Sequence, residues 1–530
     1  MSPETVADPE TDPTATYAVD PALSRRLVRR VVTGPRPSTH TTYAPFTGSP
    51  IAVLPISTAD DVQAAVDAAS AAQRGWACRP LADRARPFLA LHDLVLDHRD
   101  ELLDLVQLET GKARADGFEE VADVAIVARH YARRATSYLR PRKRQGAFPL
   151  LSSTHELRHP KGVVGIIAPW NYPLTLAVTD AIPALIAGNA VVLKPDTQTA
   201  LTALRAVELL IEAGVPEGLV QVVLGEGPVV GAAVVDTCDY VCFTGSTATG
   251  RTVAGRAGHR LVGASLELGG KNALYVAADA DLDRAAEGAV RACFAGTGQL
   301  CISVERMLLH HDVADAFLDR FVARVRAIRL GAGLDYTADC GSLISKRQLD
   351  VVTAHVEDAR ARGARVLAGG QARPDVGPLF YEPTVLEGVT PAMACYADET
   401  FGPVVSVYRV SSDDAAVARA NEGDYGLNAS IWTRDTARGR RLGARIVAGM
   451  VNVNEAYAAA WASVGAPMGG MRSSGVGRRH GAEGILKFTE AQNITVQRLV
   501  GFGAPFGLGA ERWADTLTVA LKVMKRAGMR

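Results

Sequence analysis

Cys301 stands in GTGQLCIS, residues 296–303, a frame of two glycines and a glutamine. A structural cysteine packs like a small hydrophobe among bulky neighbours. A nucleophilic one needs open approach and a route to the thiolate. Two other stretches offer groups such a thiol would need. Glu267, in LELGGKNALYV, follows an apolar run and precedes two glycines. A carboxylate there is a general base if its surroundings raise its pKa, or a strand-end ion-pair partner. Asn171, in APWNYP, lies between prolines that fix the local path. Its amide N–H can meet a developing oxyanion, or the side chain can satisfy its own turn.

Three further stretches could hold a nucleotide. In VVLKPDTQT, Lys194 ends a β-rich run where it can meet a ribose or phosphate, or remain a solvated surface lysine. Thr197 adds a hydroxyl without negative charge, whereas a carboxylate at the ribose would repel a 2′-phosphate. In FTGSTATGRTVA, Gly245 makes the turn out of a strand and Ser246 can open a helix whose N–H groups suit a pyrophosphate. The spacing is GxxxxG, not the GxGxxG fingerprint. In ETFGPVVSV, Glu399 can accept from sugar hydroxyls and Phe401 can lie against a planar ring, or the Phe can simply pack.

The elements that must position these groups read as follows. From Asp60 to Arg140 apolar residues recur at helical spacing, with Asp60 a candidate cap. From Lys161, short apolar runs (GVVGIIAP, AVVLKP, VQVVLG, DYVCFTG) alternate with helical ones. Strands apolar on both faces and separated by helices imply a parallel, doubly wound sheet with its ligand at the strands' carboxyl ends. A second α/β alternation begins near Cys293. PFGLGAERWADTLTVALKVMKRAGMR predicts a C-terminal helix striped by Trp513, Leu517, Leu521 and Met524, with Lys522, Lys525 and Arg526 largely off the stripe. Packing on protein is favoured for it over lying on a membrane.

A chain of 530 residues needs two or three cores. Lys plus Arg and Asp plus Glu balance at 57 each, so charge does not point to nucleic acid. Seven scattered cysteines without CxxC pairs argue against disulfides or a zinc site and suit a cytoplasmic setting. The start, MSPETVADPETDPTATYAVDP, lacks the pattern of a signal peptide. No uncharged run reads as a membrane span.

The ordered set PWN, KP, FTGS, ELGGK, GQLC and ETFGP, over roughly Thr42 to Thr495, resembles the aldehyde dehydrogenase superfamily. The resemblance implies two doubly wound α/β domains plus a β-extension for oligomerisation. Its expected boundaries are a disordered tail over 1–21, an NAD(P)-binding domain over 22–145 and 161–291, the extension over 146–160 and 489–505, a catalytic domain over 292–488, and the C-terminal helix over 506–530. It makes Cys301 the nucleophile, Glu267 the activator of water, and Asn171 with the Cys301 backbone N–H the oxyanion donors. It places Trp170, Asn171, Lys194, Thr197, Gly245, Ser246, Leu268, Glu399 and Phe401 at the cofactor, requires no metal, and implies a homodimer or homotetramer acting on a small aldehyde.

Within the superfamily, KPDTQTALTAL and GGMRSSGVGRRHGAEGILKFTEAQ look nearest to NADP-linked succinate-semialdehyde dehydrogenases. With Lys194 present and Thr197 where NAD-preferring members often carry glutamate, NADP is expected, with NAD the alternative. Better-known semialdehyde members bind the distant carboxylate with arginines at the places of Thr179 and Ala295. Arg291 and Arg472 are candidate substitutes, and a neutral aliphatic or aromatic aldehyde, lined by Trp461, Tyr457 and Tyr172, is the alternative substrate. The competing classes are an acylating enzyme that passes the thioester to coenzyme A, which Glu267 speaks against, and a catalytically silent structural protein on the same fold.

Overall fold

The computed structural model describes residues 19–146, 152–498, 503–505 and 507–528. Most of the expected tail over 1–21 lies outside them; a helix begins at Pro21, capped by the Asp20 side chain. The following segment is a hairpin that helical periodicity did not reveal, Ser38–Tyr43 against Pro50–Ile56. The helix Ala59–Ala77 is capped by Thr58, not by Asp60. Thr58 Oγ1 accepts from the Asp61 N–H at 3.2 Å and the Asp61 carboxylate accepts from the Thr58 N–H at 2.8 Å. The next helical stretch divides into Leu81–Ala85, Pro87–Asp97 and Arg99–Thr110. Pro87 has no N–H to continue a preceding helix, and left-handed Gly111 ends the last.

The first large sheet has six strands in the spatial order Gly475–Val476, Gly263–Glu267, Tyr240–Thr244, Val163–Ile167, Ala190–Lys194, Val220–Val222. All pairings are parallel except that of Gly475–Val476. VVGII and AVVLK are almost wholly buried because helices cover both faces. Gly165 permits one of these to lie close, since a Cβ there would be 2.6 Å from Val234 Cγ1. From Val163–Ile167 the chain winds outward through Ala190–Lys194 to Val220–Val222, then returns to Tyr240–Thr244 on the other side. Pro169–Asn171 and Gly245–Ser246 leave the strands at that reversal, the topological place for a ligand.

The second large sheet has seven strands in the order Arg365–Ala368, Thr384–Glu387, Val404–Val410, Val304–His310, Asn272–Val276, Asn428–Trp432, Met450–Val453. Its pairings are parallel except that of Arg365–Ala368. The expected boundary between residues 291 and 292 is therefore corrected. Asn272–Val276 and the helix Leu282–Phe294 already pack in the second body, so the chain crosses over in the Gly269–Gly270 turn. A strand buried on both faces reads the same in either sheet. The other end of the catalytic domain over 292–488 is corrected too, because Gly475–Val476 joins the first sheet and Ile485 and Phe488 pack in its core.

A three-stranded antiparallel sheet, Thr489–Gln497, Ser152–Pro160 and Arg142–Arg144, stands apart from both. It begins before residue 146 because Arg142–Arg144 pairs with Ser152–Pro160, helped by the Arg144–Glu156 ion pair at 2.6 Å. Thr489–Gln497 is an edge strand with Ile494 and Val496 exposed. The C-terminal helix runs Ala510–Arg526; Trp513, Leu517 and Met524 are half-buried, whereas Leu521 is exposed. Among the described residues no helix is long and apolar enough to cross a membrane.

Candidate active site

The glycines before Cys301 have a geometric cause. After the helix Leu282–Phe294, Gly296, Thr297 and Gly298 take φ of 58°, 60° and 67° in succession. A run of left-handed backbone is least costly where it is glycine. Gly298 is also pressed, since a Cβ on it would lie 2.2 Å from the Gly402 carbonyl oxygen. The turn is fastened by the Gly296 N–H donating to Asp116 Oδ2 at 2.9 Å and by Gln299 Oε1 accepting from the Ile344 N–H at 3.0 Å. The Cys301 carbonyl accepts from Asn272 Nδ2 at 2.8 Å.

Of the seven cysteines, Cys301 is half-buried, Cys78 is exposed and the rest are buried. Burial and the Glu267 and Glu399 carboxyls push the Cys301 thiol up to about 12, against a smaller downward pull from Arg479. Glu267 ends the strand Gly263–Glu267 and is buried, with no hydrogen-bond partner for Oε1. Burial pushes its carboxyl up to about 7, while Arg479 and Lys487 pull it down.

Asn171 is buried, and its Nδ2 donates to the Gln299 carbonyl at 3.0 Å. That leaves the second amide hydrogen to be directed elsewhere. Lys112 and Glu120 fasten its backbone, a pair that the sequence gave no signal for. Lys112 Nζ donates to the Asn171 carbonyl at 2.6 Å and to Glu120 Oε1 at 2.7 Å. Glu120 Oε2 accepts from the N–H groups of Leu174 and Thr175 at 2.9 and 3.1 Å, where the next helix starts.

Two cavities meet at these side chains. The smaller is a narrow cavity with apolar walls that include Tyr172, Leu176, Leu300, Ile302, Trp461 and Met468. The larger is a cleft lined by Trp170, Gly245, Ser246, Leu268, Glu399 and Phe401, among others. Asn171, Thr244, Glu267 and Cys301 line both.

Several of the residues expected at a dinucleotide line the cleft. Ser246 caps the helix Thr247–His259, its Oγ accepting from the Thr249 N–H at 3.3 Å. Gly250 leaves room for Leu268, since a Cβ would lie 2.4 Å from Leu268 Cδ2. Trp170 and Phe401 meet edge to face at 5.6 Å. The strap carrying Phe401 (φ 51°) is clamped, as Glu305 accepts from the Thr400 and Phe401 N–H groups and Gln348 Nε2 donates to both carbonyls. Burial raises the Glu399 carboxyl to about 8, and Glu399 Oε1 accepts from the Gly270 N–H at 2.7 Å. Arg347 lines the cleft too and was not singled out in the sequence.

Lys194 and Thr197 are not among the residues lining this cleft. Lys194 is buried, its Nζ donating to the Pro195 carbonyl at 3.2 Å. Thr197 is half-buried in the turn that follows.

In the smaller cavity, Tyr172, Tyr457 and Trp461 all line the wall. Neither candidate substitute arginine does. Arg472 is spent on the carbonyls of Asn421 and Gly423 at 2.8 and 2.9 Å. Arg291 is held by Glu119 at 2.7 Å and Glu455 at 3.5 Å. The guanidinium at the wall is that of Arg479, from the RRH stretch. Two adjacent arginines in a glycine-rich turn were the available signal.

Two doubly wound sheets with a cleft at a topological switch point, next to a half-buried thiol, define a dinucleotide-linked α/β enzyme. Residues 32–494 match the Aldehyde dehydrogenase family. A Mycobacterium tuberculosis protein named "Putative succinate-semialdehyde dehydrogenase NADP(+) 2" is 53% identical over 92% of this chain and 94% of its own. A betaine aldehyde dehydrogenase of Cereibacter sphaeroides is 38% identical over 85% and 92%. Among solved structures, PnpE of Pseudomonas sp. WBC-3, in complex with nicotinamide adenine dinucleotide, superimposes with a TM-score of 0.84. It is 37% identical and covers 89% of this chain and 96% of its own. The chain belongs to the aldehyde dehydrogenase family.

Proposed function

We propose that the protein oxidises an aldehyde, succinate semialdehyde, to its carboxylate with NADP through a thioester on Cys301. The observation that carries this reading is that Asn171, Thr244, Glu267 and Cys301 face two cavities at once, one apolar and one shaped for a nucleotide. Cys301 attacks the aldehyde carbon, and its proton leaves toward Glu267, whose Oε1 has no other partner. The Asn171 amide and the Cys301 backbone N–H receive the oxyanion of the thiohemiacetal. Held in the cleft lined by Trp170, Gly245, Ser246 and Phe401, NADP would supply the hydride acceptor that the thiohemiacetal needs to become a thioester. Glu267 gives up the thiol proton to solvent and then takes a proton from the water that attacks the thioester, so that the carboxylate leaves and the Cys301 thiolate is restored.

Asn171→Ala is expected to lower kcat by ~10²–10³-fold, as for loss of one oxyanion donor. Steady-state NADPH formation measures it, and a loss under threefold would remove Asn171 from this role.

NADP is supported by the name of the mycobacterial relative. Assembly into dimers or tetramers is supported by the open edge of Thr489–Gln497 with its exposed Ile494 and Val496. Seven free cysteines suit a cytoplasmic setting.

A second reading, a dehydrogenase of neutral aliphatic or aromatic aldehydes, is favoured by the apolar walls of the smaller cavity. Comparing kcat/KM for succinate semialdehyde, hexanal and benzaldehyde, with NADP and with NAD, separates the two. The expected result is succinate semialdehyde first and NADP ahead of NAD by about tenfold or more, that is about 1.4 kcal/mol. A ranking led by hexanal or benzaldehyde would make the second reading the function.

A further inference from the structure

The walls of the smaller cavity include two carboxyls, Glu119 and Glu267, and one cation, Arg479. Glu119 is already occupied. It accepts from the Tyr457 hydroxyl at 2.9 Å and pairs with Arg291 at 2.7 Å. Arg479 is in a different position. It is 5% exposed, and its Nη2 donates to the Thr179 hydroxyl at 2.5 Å and lies 3.3 Å from Asp180 Oδ2. Asp180 is also bound by Lys487 Nζ at 2.9 Å. Two buried cations thus share one carboxylate.

The neighbouring acids do not make up the difference at neutral pH. Asp123 and Glu267 are both buried with oxygens that no hydrogen bond satisfies. Burial pushes each up to about 7 against the pull of Arg479, so neither is a full countercharge to it. A guanidinium has five donors, and those of Arg479 are not exhausted by one hydroxyl and one shared carboxylate. A buried cation with spare donors at the wall of an apolar cavity favours an anion. The cavity's other lining groups give an aldehyde chain apolar contact and Cys301 as its reactive end.

We propose that Arg479 is a specificity-determining residue that receives the carboxylate of a short semialdehyde acid whose aldehyde carbon meets Cys301. This rests on the reading of the substrate as succinate semialdehyde, and names the group that selects it. The anion completes the charge balance of Arg479, Lys487 and Asp180, and the Thr179 hydroxyl orients the fork. A neutral aldehyde of equal length occupies the same walls without that contact.

The test compares succinate semialdehyde with butanal in the full-length wild-type enzyme, Arg479→Gln and Arg479→Lys, reading kcat and KM separately. Arg479→Gln is expected to lower the ratio of kcat/KM for the acid to that for butanal by about thirtyfold, mainly through KM of the acid. Asp180 keeps Lys487 in that variant, so no lone buried carboxylate is created. Arg479→Lys, which keeps charge but loses the fork, is expected to retain part of the preference. A ratio unchanged in both variants, with both substrates slowed alike, would overturn the proposal and leave Arg479 a positioning residue for Glu267. If Arg479→Gln does not fold, the lysine variant alone decides, an unchanged ratio counting against the proposal. A wild-type enzyme without preference for the acid would instead sink the substrate reading itself.

Discussion

Replacing Cys301 by alanine is expected to abolish aldehyde oxidation, lowering kcat by at least ~10⁴-fold, the scale seen when a covalent nucleophile is removed. NADP binding should persist, readable through the fluorescence of Trp170 in the cleft wall. The effect is large because no other thiol can take over. Cys293 and Cys340 are the cysteines nearest in sequence, and both are fully buried where Cys301 is half-buried. Neither lines the cavity or the cleft. Oxidation within tenfold of wild type would remove the thioester from the mechanism, and with it the reason for Asn171 and Glu267 to converge on this sulfur.

Glu267→Gln has the second large effect, a fall in kcat of ~10²–10⁴-fold, the range assigned to a positioned general base. An acyl adduct on Cys301 should then accumulate and be visible by mass spectrometry of the intact protein. In wild type the base must be ionised to act, and its carboxyl stands at about 7. The rate should therefore climb with pH through about 7 and flatten above it, and the glutamine variant should lose that limb. Stability carries the opposite sign. A carboxyl raised from 4.5 to about 7 favours the folded state fully below its unfolded value, and this advantage is lost as pH rises through about 7. At pH 8 the wild type folds with a buried, poorly satisfied charge that the amide lacks. Glu267→Gln is expected to be more stable there by roughly 1–3 kcal/mol, a difference that closes near pH 5. Calorimetric melting at the two pH values measures it. A variant less stable than wild type at pH 8 would mean that the Arg479 and Lys487 charges already compensate Glu267.

What the residues disclosed before the structure follows from the range of the forces involved. The sheet strands were legible because a strand covered on both faces must be apolar throughout, as in VVGII and AVVLK. The frame of Cys301 stood out in the sequence by its two glycines, read there as open approach; the left-handed backbone that calls for them at Gly296 and Gly298 came only with the fold. Sheet membership was not: Asn272–Val276 would look the same in either body, and only its pairing with Val304–His310 decides. The support of Asn171 was hidden for a similar reason. Lys112 reaches the Asn171 carbonyl across 59 positions of sequence, and nothing local marks it. Lys194 is a similar case, since a lysine at a strand end reads alike with or without the bond to its own backbone that it makes here to the Pro195 carbonyl. Arg479 meets Thr179 across 300 positions, so its presence in the cavity could be learned only from the fold.

The close approach of Gly298 to the Gly402 carbonyl has a bearing on redesign. The loop that holds the sulfur and the strap that carries Phe401 cannot be altered one at a time. Enlarging the nucleotide cleft by rebuilding residues 399–402, as an engineer would for a bulkier synthetic coenzyme, shifts the surface on which the thiol's own loop rests. Variants selected for a roomier coenzyme berth should lose turnover in step with the backbone change, and compensating changes should surface around residues 296–300, not in the cleft.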